Sequence, residues 1–349
     1  MTKIFKIGKK IIKEDAPCFI VAEISANHGK SLKKCYRLIE AAKKIGADAV
    51  KIQTFTAESL TLKTHSKKKI KDTPWKEFDD RYNLFSKASL PLMFHKKIFQ
   101  FAKKKKILLF SSPFSPKDVD FLEKLNCPAY KIASAEITDI PLIERVARTN
   151  KPVIISLGLA IESDIDFVEK TLKKNFCKNY MYLKCTATYP SNFNQLNLMS
   201  INFLKKKYNC QIGFSDHTIG SLAPISAVAI GARMIEKHIK LDNEKKTIDS
   251  FFSTKVSDFA IMIKNIRNLE KAKGNFQYGL DSKSLGQLKT RKSLFMKVSL
   301  KKNETIKSEH IACVRPFDGL HPKYLKNIIG KKLKCNVKEG SPIKLSYFF

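Results

Sequence analysis

The sequence predicts an α/β fold, a parallel (β/α)8 (TIM) barrel that is followed by a small C-terminal domain. Eight short apolar segments alternate with amphipathic segments over residues 1–274, and polar residues stand at the C-terminal end of each apolar segment. Near-continuous apolar strands are typical of parallel sheets covered on both faces, and barrel enzymes build their sites at strand C-termini. A doubly wound open sheet is the alternative, but its polar residues would gather at one switch point.

The first βα unit shows the pattern. Cys18–Ser25 is strand-like, and Ser31–Ile45 places apolar side chains at helical spacing before Gly46. Three later helices have serine start signals at Ser115, Ser163 and Ser221, and a last one, from Ser257 to Lys273, stops at Gly274. The seven further predicted strands are Ala49–Thr54, Ile107–Ser112, Ala129–Ser134, Pro152–Gly158, Met181–Tyr189, Cys210–His217 and Ala232–Ile239.

Three segments lie outside this repeat. The connection Phe55–Lys106 exceeds one helix and has an aromatic middle around Trp75, so we expect an inserted lid or a partner-contact segment. Residues 275–292 have no sustained helical period and predict a linker. Residues 293–349 predict a small domain of short strands and turns, which is marginal alone and favours docking on a neighbouring surface.

Composition excludes several classes of protein. The chain of 349 residues is 43% hydrophobic, which suffices for a large core, and we expect no export signal or membrane span. Eight scattered cysteines without a C-x-x-C pair indicate a reducing cytoplasm. The net charge of +34 favours a nucleic-acid-binding protein as a different-class alternative. We expect no nucleic-acid partner, because the lysine runs fall at helix ends and no recognition motif accompanies them.

Two predicted strands end in histidine. Side chains alternate along a strand, so Ser215 and His217 share one face, as do Glu236 and His238. Two adjacent imidazoles can bind a divalent metal ion that acts as a Lewis acid on a carbonyl, although each histidine alone could be an ordinary buried residue. Glu23 or Asp216 could hold a metal-bound water or act as general base.

Lysine within a barrel strand predicts an anion site. Lys51 lies in the second strand, so we predict that it binds a phosphate or carboxylate, unless Glu23 neutralises its charge. Hydroxyls at strand ends are good phosphate donors, or ordinary helix caps; these are Ser112, Ser134, Ser156 and Ser215. No G-x-G-x-x-G fingerprint or P-loop is present, so hydride transfer is not indicated.

Several of these segments together resemble one enzyme family. Ala22-Glu-Ile-Ser-Ala-Asn-His28, Gly46-Ala-Asp-Ala-Val-Lys-Ile-Gln-Thr54, Phe110-Ser-Ser-Pro-Phe114, Tyr130-Lys-Ile-Ala-Ser134, Gly213-Phe-Ser-Asp-His217 and Glu236-Lys-His238 are similar to the sialic acid synthase family, as is an antifreeze-like (SAF, β-clip) domain around Val314-Arg-Pro316. Cys185-Thr-Ala-Thr-Tyr-Pro190, Asp249-Ser-Phe-Phe-Ser253 and Gly319-Leu-His-Pro-Lys323 resemble its pseudaminic acid branch. Ala187 departs from the Asn typical of N-acetylneuraminate synthases, and legionaminic acid synthases are the remaining rival.

The resemblance implies a metal-dependent transferase that condenses phosphoenolpyruvate with a 2,4-diacetamido-2,4,6-trideoxy-hexose aldehyde. It implies that His217 and His238 bind the ion (Mn²⁺, Mg²⁺ or Co²⁺) and that Glu23 positions or deprotonates the attacking water. The implied phosphoenolpyruvate ligands are Lys51, Ser112, Lys131, Ser134, Ser156 and Ser215. The implied sugar ligands are Gln53, Glu136, Tyr189, Asp249 and Arg315, the last offered to a partner subunit in a domain-swapped homodimer.

Overall fold

The computed structural model describes residues 3–64, 70, 73–244, 246–274 and 279–349. The chain divides into two compact units, Met1–Gly274 and Asn275–Phe349. Each unit has its own buried apolar cluster, so each is described separately.

The first unit is the predicted barrel. A short antiparallel hairpin, β1 (Phe5–Ile7) and β2 (Lys10–Ile12), precedes it. The parallel barrel strands then pair in chain order, and the last pairs with the first, so the sheet closes. They are β3 (Phe19–Glu23), β4 (Ala49–Thr54), β5 (Leu108–Pro113), β6 (Tyr130–Ile132), β7 (Val153–Ser156), β8 (Tyr180–Cys185), β9 (Ile212–Asp216) and β10 (Met234–Lys240). The barrel prediction is confirmed, and a two-residue strand, β11 (Thr254–Lys255), pairs in parallel with the end of β10.

Helices cover the barrel strands. Ser115 caps its helix as expected, because its side chain accepts a hydrogen bond from the N–H of Asp118 at 3.3 Å. Ser163 does not: that helix begins at Glu162, and the Asp164 carboxylate accepts a hydrogen bond from the N–H of Ile161 at 3.0 Å. The helices of this unit are α1 (Leu32–Lys44), α2 (Ala57–Leu60), α3 (Arg81–Ala88), α4 (Leu92–Lys104), α5 (Pro116–Lys124), α6 (Ile140–Ala147), α7 (Glu162–Lys174), α8 (Ser200–Tyr208), α9 (Leu222–Ile230) and α10 (Val256–Lys273).

Close packing of the strands restricts Gly213 on β9. A Cβ atom there would lie 2.4 Å from the Leu183 side chain and 2.7 Å from the Met234 carbonyl oxygen. Since β9 lies between β8 and β10, only glycine lets the three strands approach this closely. His217, which directly follows β9, is therefore positioned by a tightly packed strand.

The second unit contains an antiparallel pair, β12 (Ser293–Met296) and β13 (Ile311–Val314). Single bridges, such as that between Leu300 and Val337, hold its remaining segments together. Within residues 275–292, where we predict a linker, residues 275–278 lie outside the described part of the chain, and two short helices follow, α11 (Ser282–Leu285) and a 3-10 turn at Gly286–Thr290. The last α-helix is α12 (Leu325–Ile328). Among the described residues no helix is long and apolar enough to cross a membrane.

Candidate active site

A cavity of ≈ 420 Å³ opens at the C-terminal ends of the barrel strands. Of the predicted site residues, those lining it are Lys51, Gln53, Lys131, Ser134, Glu136, Ser156, Tyr189, Ser215, His217, His238 and Asp249. Ser112 and Glu23 both contact the Lys51 ammonium group. Arg315 is exposed and lies in the second unit. The first unit thus gathers all the predicted site residues that it contains around one cavity and its floor.

Two buried lysines and two buried carboxylates form the floor of the cavity. The Lys51 Nζ lies 2.8 Å from a Glu23 oxygen, and the Lys131 Nζ lies 3.0 Å from a Glu236 oxygen. A third, longer contact of 3.7 Å joins Lys51 to Glu236. The Glu23 contact is the neutralising pair that the sequence left open for Lys51. The four formal charges balance, so the floor can exist before an anionic ligand binds.

Glu236 was not among the predicted site residues. Its carboxylate accepts hydrogen bonds from Lys131 to both oxygens, at 3.0 and 3.2 Å, and from Ser215 at 3.4 Å. Burial raises the pKa of Glu236, but Lys131 and Lys51 lower it by more, so the group is ionised at neutral pH. The sequence contained one signal for Glu236, which is that it shares a strand face with His238. That signal was not enough to assign Glu236 to the site, because nothing in the sequence pairs it with a lysine that lies 105 positions away.

The two histidines lie side by side, with ring centroids 5.4 Å apart. The Nδ1–H of His217 donates a hydrogen bond to the carbonyl of Thr186 at 2.9 Å, so its Nε2 carries the free lone pair. Tyr189 packs against the same imidazole, with centroids 4.3 Å apart. Burial, together with the positive charge of nearby lysines such as Lys51, holds the pKa of His238 well below its usual range. His238 is therefore a neutral imidazole at physiological pH.

This donor pair fits a divalent metal ion. A carbonyl that fixes the tautomer of His217 is the usual outer partner of a metal-binding histidine. The Nδ1 of His238 is buried and has no hydrogen-bond partner among the described residues. Across those same residues no cluster of three or more acidic, histidine or cysteine side chains surrounds a common point. With only two protein nitrogens as ligands, the other coordination positions of a bound ion would be open to water and substrate oxygens, as a Lewis-acid site requires.

Asp216 does not belong to this site, which corrects one of the two sequence alternatives for a water-holding carboxylate. It lies one residue from His217, so its side chain points to the opposite face of β9. There it forms a buried ion pair with Lys237, the residue opposite it on β10. The Lys237 ammonium group also donates a hydrogen bond to the carbonyl of Thr218 at 2.7 Å. Glu23 remains the carboxylate on the cavity side.

The predicted phosphate-binding hydroxyls occupy different surroundings. Ser112 accepts a hydrogen bond from the Lys51 ammonium group at 3.1 Å, and Ser134 accepts one from the N–H of Gly158 at 3.0 Å. The Ser156 hydroxyl is buried without a partner among the described residues. A ligand oxygen that reaches Ser156 would satisfy a donor that otherwise costs about 1–3 kcal/mol.

The predicted sugar-binding side chains Gln53, Glu136, Tyr189 and Asp249 line the same cavity. Gln53 donates hydrogen bonds to Glu23 at 3.0 Å and to the Ser25 hydroxyl at 3.2 Å. Asp249 accepts hydrogen bonds from the hydroxyl of Ser25 and from the N–H of Ala26. Burial raises the pKa of Glu136 to about 7, and one of its oxygens has no partner among the described residues. This half of the site is a set of amide and carboxyl groups suited to hydroxyl and amide ligands.

Comparison with known proteins places this geometry in a family. The model of the NeuB family matches residues 38–278, which is more than half of the chain. The chain belongs to the NeuB family. A SAF domain model matches residues 291–348, within the second unit. The resemblance to the sialic acid synthases and the predicted antifreeze-like domain are therefore both confirmed.

Several NeuB relatives match nearly end to end. A pseudaminic acid synthase of Campylobacter jejuni is 41% identical over 337 residues, 96% of this chain and 97% of that protein. A pseudaminic acid synthase of Helicobacter pylori is 40% identical over 331 residues, 94% of this chain and 96% of that protein. The crystal structure of an N-acetylneuraminic acid synthetase from Leptospira borgpetersenii superposes with a TM-score of 0.73 at 30% identity, covering 82% of this chain and 96% of that one.

Proposed function

We propose that this NeuB-family chain is a pseudaminic acid synthase. Phosphoenolpyruvate, water and the open-chain aldehyde of 2,4-diacetamido-2,4,6-trideoxy-β-L-altropyranose give pseudaminic acid and phosphate. The observation that carries the proposal is the pair of buried lysines, Lys51 and Lys131, in the same cavity as the histidine pair. Relatives named pseudaminic acid synthase are 40–41% identical, whereas the neuraminic acid structure is 30% identical.

The floor binds phosphoenolpyruvate. Glu23 and Glu236 keep Lys51 and Lys131 extended toward the strand ends, so both ammonium groups are positioned before the ligand arrives. The phosphate and carboxylate of the ligand then add negative charge beside two cations in a buried site, where such contacts are strong. The surrounding hydroxyls supply neutral donors, and they come from Ser112, Ser134, Ser156 and Ser215.

The reaction joins two carbons and removes phosphate. His217 and His238 would hold a divalent ion, which would supply Lewis-acid polarisation of the aldehyde. C3 of phosphoenolpyruvate forms the new C–C bond to the aldehyde carbon, and water then adds to C2 before the C2–O bond to phosphate breaks. Burial raises the pKa of Glu23, and Lys51 offsets part of that rise, so this carboxylate is basic enough to take the proton from the water.

The other polar residues that line the cavity hold the sugar. Gln53, Glu136, Tyr189 and Asp249 offer amide, carboxyl and phenol groups to its hydroxyl and acetamido substituents. We further propose that Arg315 completes this set from a second subunit in a domain-swapped homodimer, which its exposure in the SAF unit supports. We propose a cytoplasmic location, and the free thiols of the chain fit a reducing compartment.

Phosphate release from phosphoenolpyruvate tests the proposal. We expect release with the diacetamido altrose sugar and added Mn²⁺, and at least a hundredfold less in His217→Ala or His238→Ala, because catalysis by a metal ion contributes several kcal/mol. Each variant should also bind less Mn²⁺ in equilibrium dialysis. His310→Ala, in the second unit, is the matched control and should bind the ion normally.

A substrate panel decides between the branches of the family. N-acetylmannosamine and the legionaminic precursor should be turned over at least tenfold more slowly than the altrose sugar. Equal or faster turnover of either competitor would assign the chain to that branch instead. Steeply salt-dependent DNA or RNA binding at physiological salt, without synthase activity, would favour the nucleic-acid alternative.

A further inference from the structure

The long connection between β4 and β5 forms one wall of the cavity and carries a small core of its own. Among its described residues are α2, α3 and α4. The core consists of Ile70, Phe78 and Leu84, with Trp75, Phe85 and Ile248 packed against it. Because Ile248 follows β10 in the chain, this core joins the connection to the loop after the last barrel strand. Its side chains are therefore fixed relative to the site.

Trp75 anchors the wall beside the sugar-binding residues. Its indole N–H donates a hydrogen bond to the carbonyl of Ile248 at 3.2 Å, and its ring centroid lies 5.5 Å from that of Tyr189. An exposed ion pair between Glu77 and Lys246, at 2.8 Å, joins the same two segments. The wall thus borders the position where Asp249 and Tyr189 meet the sugar.

The wall differs in chemistry from the floor of the cavity. Ile70, Trp75, Leu84 and Phe85 all line the cavity, and all are apolar except for the indole N–H, which is already bonded. A sugar hydroxyl placed here would lose its hydrogen bonds to water. A methyl group placed here would gain about 0.8 kcal/mol or more by leaving water. The wall therefore suits a methyl-bearing substituent.

Arg81, an exposed residue at the start of α3, also lines the cavity from this connection, and Thr73 adds a second polar group to the wall. Thr73 lines the cavity, and its hydroxyl is buried without a hydrogen-bond partner among the described residues. Such a donor costs about 1–3 kcal/mol until a partner satisfies it. A hydroxyl next to an apolar wall matches an acetamido group, which has a carbonyl oxygen and a methyl group. A bare deoxy methyl group would leave the hydroxyl unsatisfied.

We infer that Thr73, Trp75, Leu84 and Phe85 form an acyl subsite that selects the N-acyl group of the sugar. The three large side chains contact the acyl methyl group, and the Thr73 hydroxyl donates a hydrogen bond to the acyl carbonyl. The inference rests on the proposed function, which supplies a sugar with two acetamido groups. It gives the long connection a role in substrate choice.

Acyl analogues test the subsite. We compare kcat/KM for the diacetamido sugar with kcat/KM for two analogues, each with one acetyl group replaced by propanoyl. In Leu84→Ala, kcat/KM for one of the two analogues should rise about tenfold relative to kcat/KM for the diacetamido sugar. The smaller side chain leaves room for the additional methylene, and one methylene in an apolar pocket changes kcat/KM by about this factor. Thr73→Val keeps the shape, and it should lower kcat/KM for the diacetamido sugar about tenfold while KM for phosphoenolpyruvate stays unchanged.

Leu62→Ala and Thr64→Val are matched controls, because both residues are exposed in the same connection and neither lines the cavity. Their selectivity should equal that of the wild type. Unchanged acyl selectivity in Leu84→Ala together with unchanged kcat/KM in Thr73→Val would overturn the subsite while wild-type turnover upholds the synthase proposal. A wild type inactive on every acylated sugar would overturn both. Thr73→Val removes one oxygen only, so it remains decisive if Leu84→Ala fails to fold.

Discussion

Removing Lys131 tests the charge balance of the cavity floor. In Lys131→Met the Glu236 carboxylate keeps the Ser215 hydrogen bond but only one contact to a cation, the longer one to Lys51, at 3.7 Å instead of 3.0 Å. With an effective dielectric constant near 20, the lost contact is worth about 5 kcal/mol. Breaking a buried pair typically costs about 3–5 kcal/mol of folding free energy, which lowers the melting temperature by about 10 °C in a barrel of this size.

The loss of stability in Lys131→Met should depend on pH with a defined sign. Without Lys131, the pKa of Glu236 should rise relative to wild type, because the largest effect that opposes burial is lost. A carboxyl group with a raised folded pKa destabilises the protein at high pH, and protonation relieves this as pH falls. The deficit in melting temperature against wild type should therefore be larger at pH 8 than at pH 5.

Differential scanning fluorimetry of four proteins measures this coupling. The four proteins form a double-mutant cycle: wild type, Lys131→Met, Glu236→Gln and the double variant. The stability lost in the double variant should be smaller than the sum of the losses in the two single variants. Lys97→Met, an exposed lysine on α4, is the control and should melt within about 1 °C of wild type. Additive losses, or a deficit in Lys131→Met that is equal at pH 5 and pH 8, would refute the reasoning.

Three further predictions concern pH and assembly. Since the pKa of Glu136 is raised to about 7, kcat/KM for the sugar should fall between pH 8 and pH 6, and Glu136→Gln should flatten that profile. Burial lowers the pKa of His28 to about 3 and that of His95 to about 4, so urea denaturation should show about 2 kcal/mol lost per histidine between pH 7 and pH 5, and His95→Gln should reduce the dependence. Inactive Arg315→Ala and His217→Ala subunits should regain partial activity when mixed, and no recovery after verified subunit exchange would contradict a shared site.

Local patterns predicted the barrel because strand and helix periods are written in neighbouring residues. The histidine pair was predictable for the same reason, since alternation along β9 and β10 fixes which side chains face inward. The same rule, had it been applied to Asp216, would have removed that residue from the site.

Long-range partners could not be predicted in this way. Glu236 contacts Lys131 across the barrel, and its strand alone does not distinguish a ligand-binding carboxylate from one that pairs with a lysine. The sequence shows Trp75 in an aromatic segment, but its hydrogen bond to Ile248 joins positions 173 residues apart. The unpartnered hydroxyl of Thr73 depends on packing around the cavity, which no local period encodes.

The buried pair of Asp216 and Lys237 lies directly behind the two histidines. Each member directly precedes a histidine in the chain, and the two are opposite one another in the strand register. Removing either charge alone leaves its partner buried and unpaired in the barrel wall, which should disturb the spacing of the histidines on the other face. We therefore expect a substitution at both positions together to be tolerated better than a substitution at either one alone.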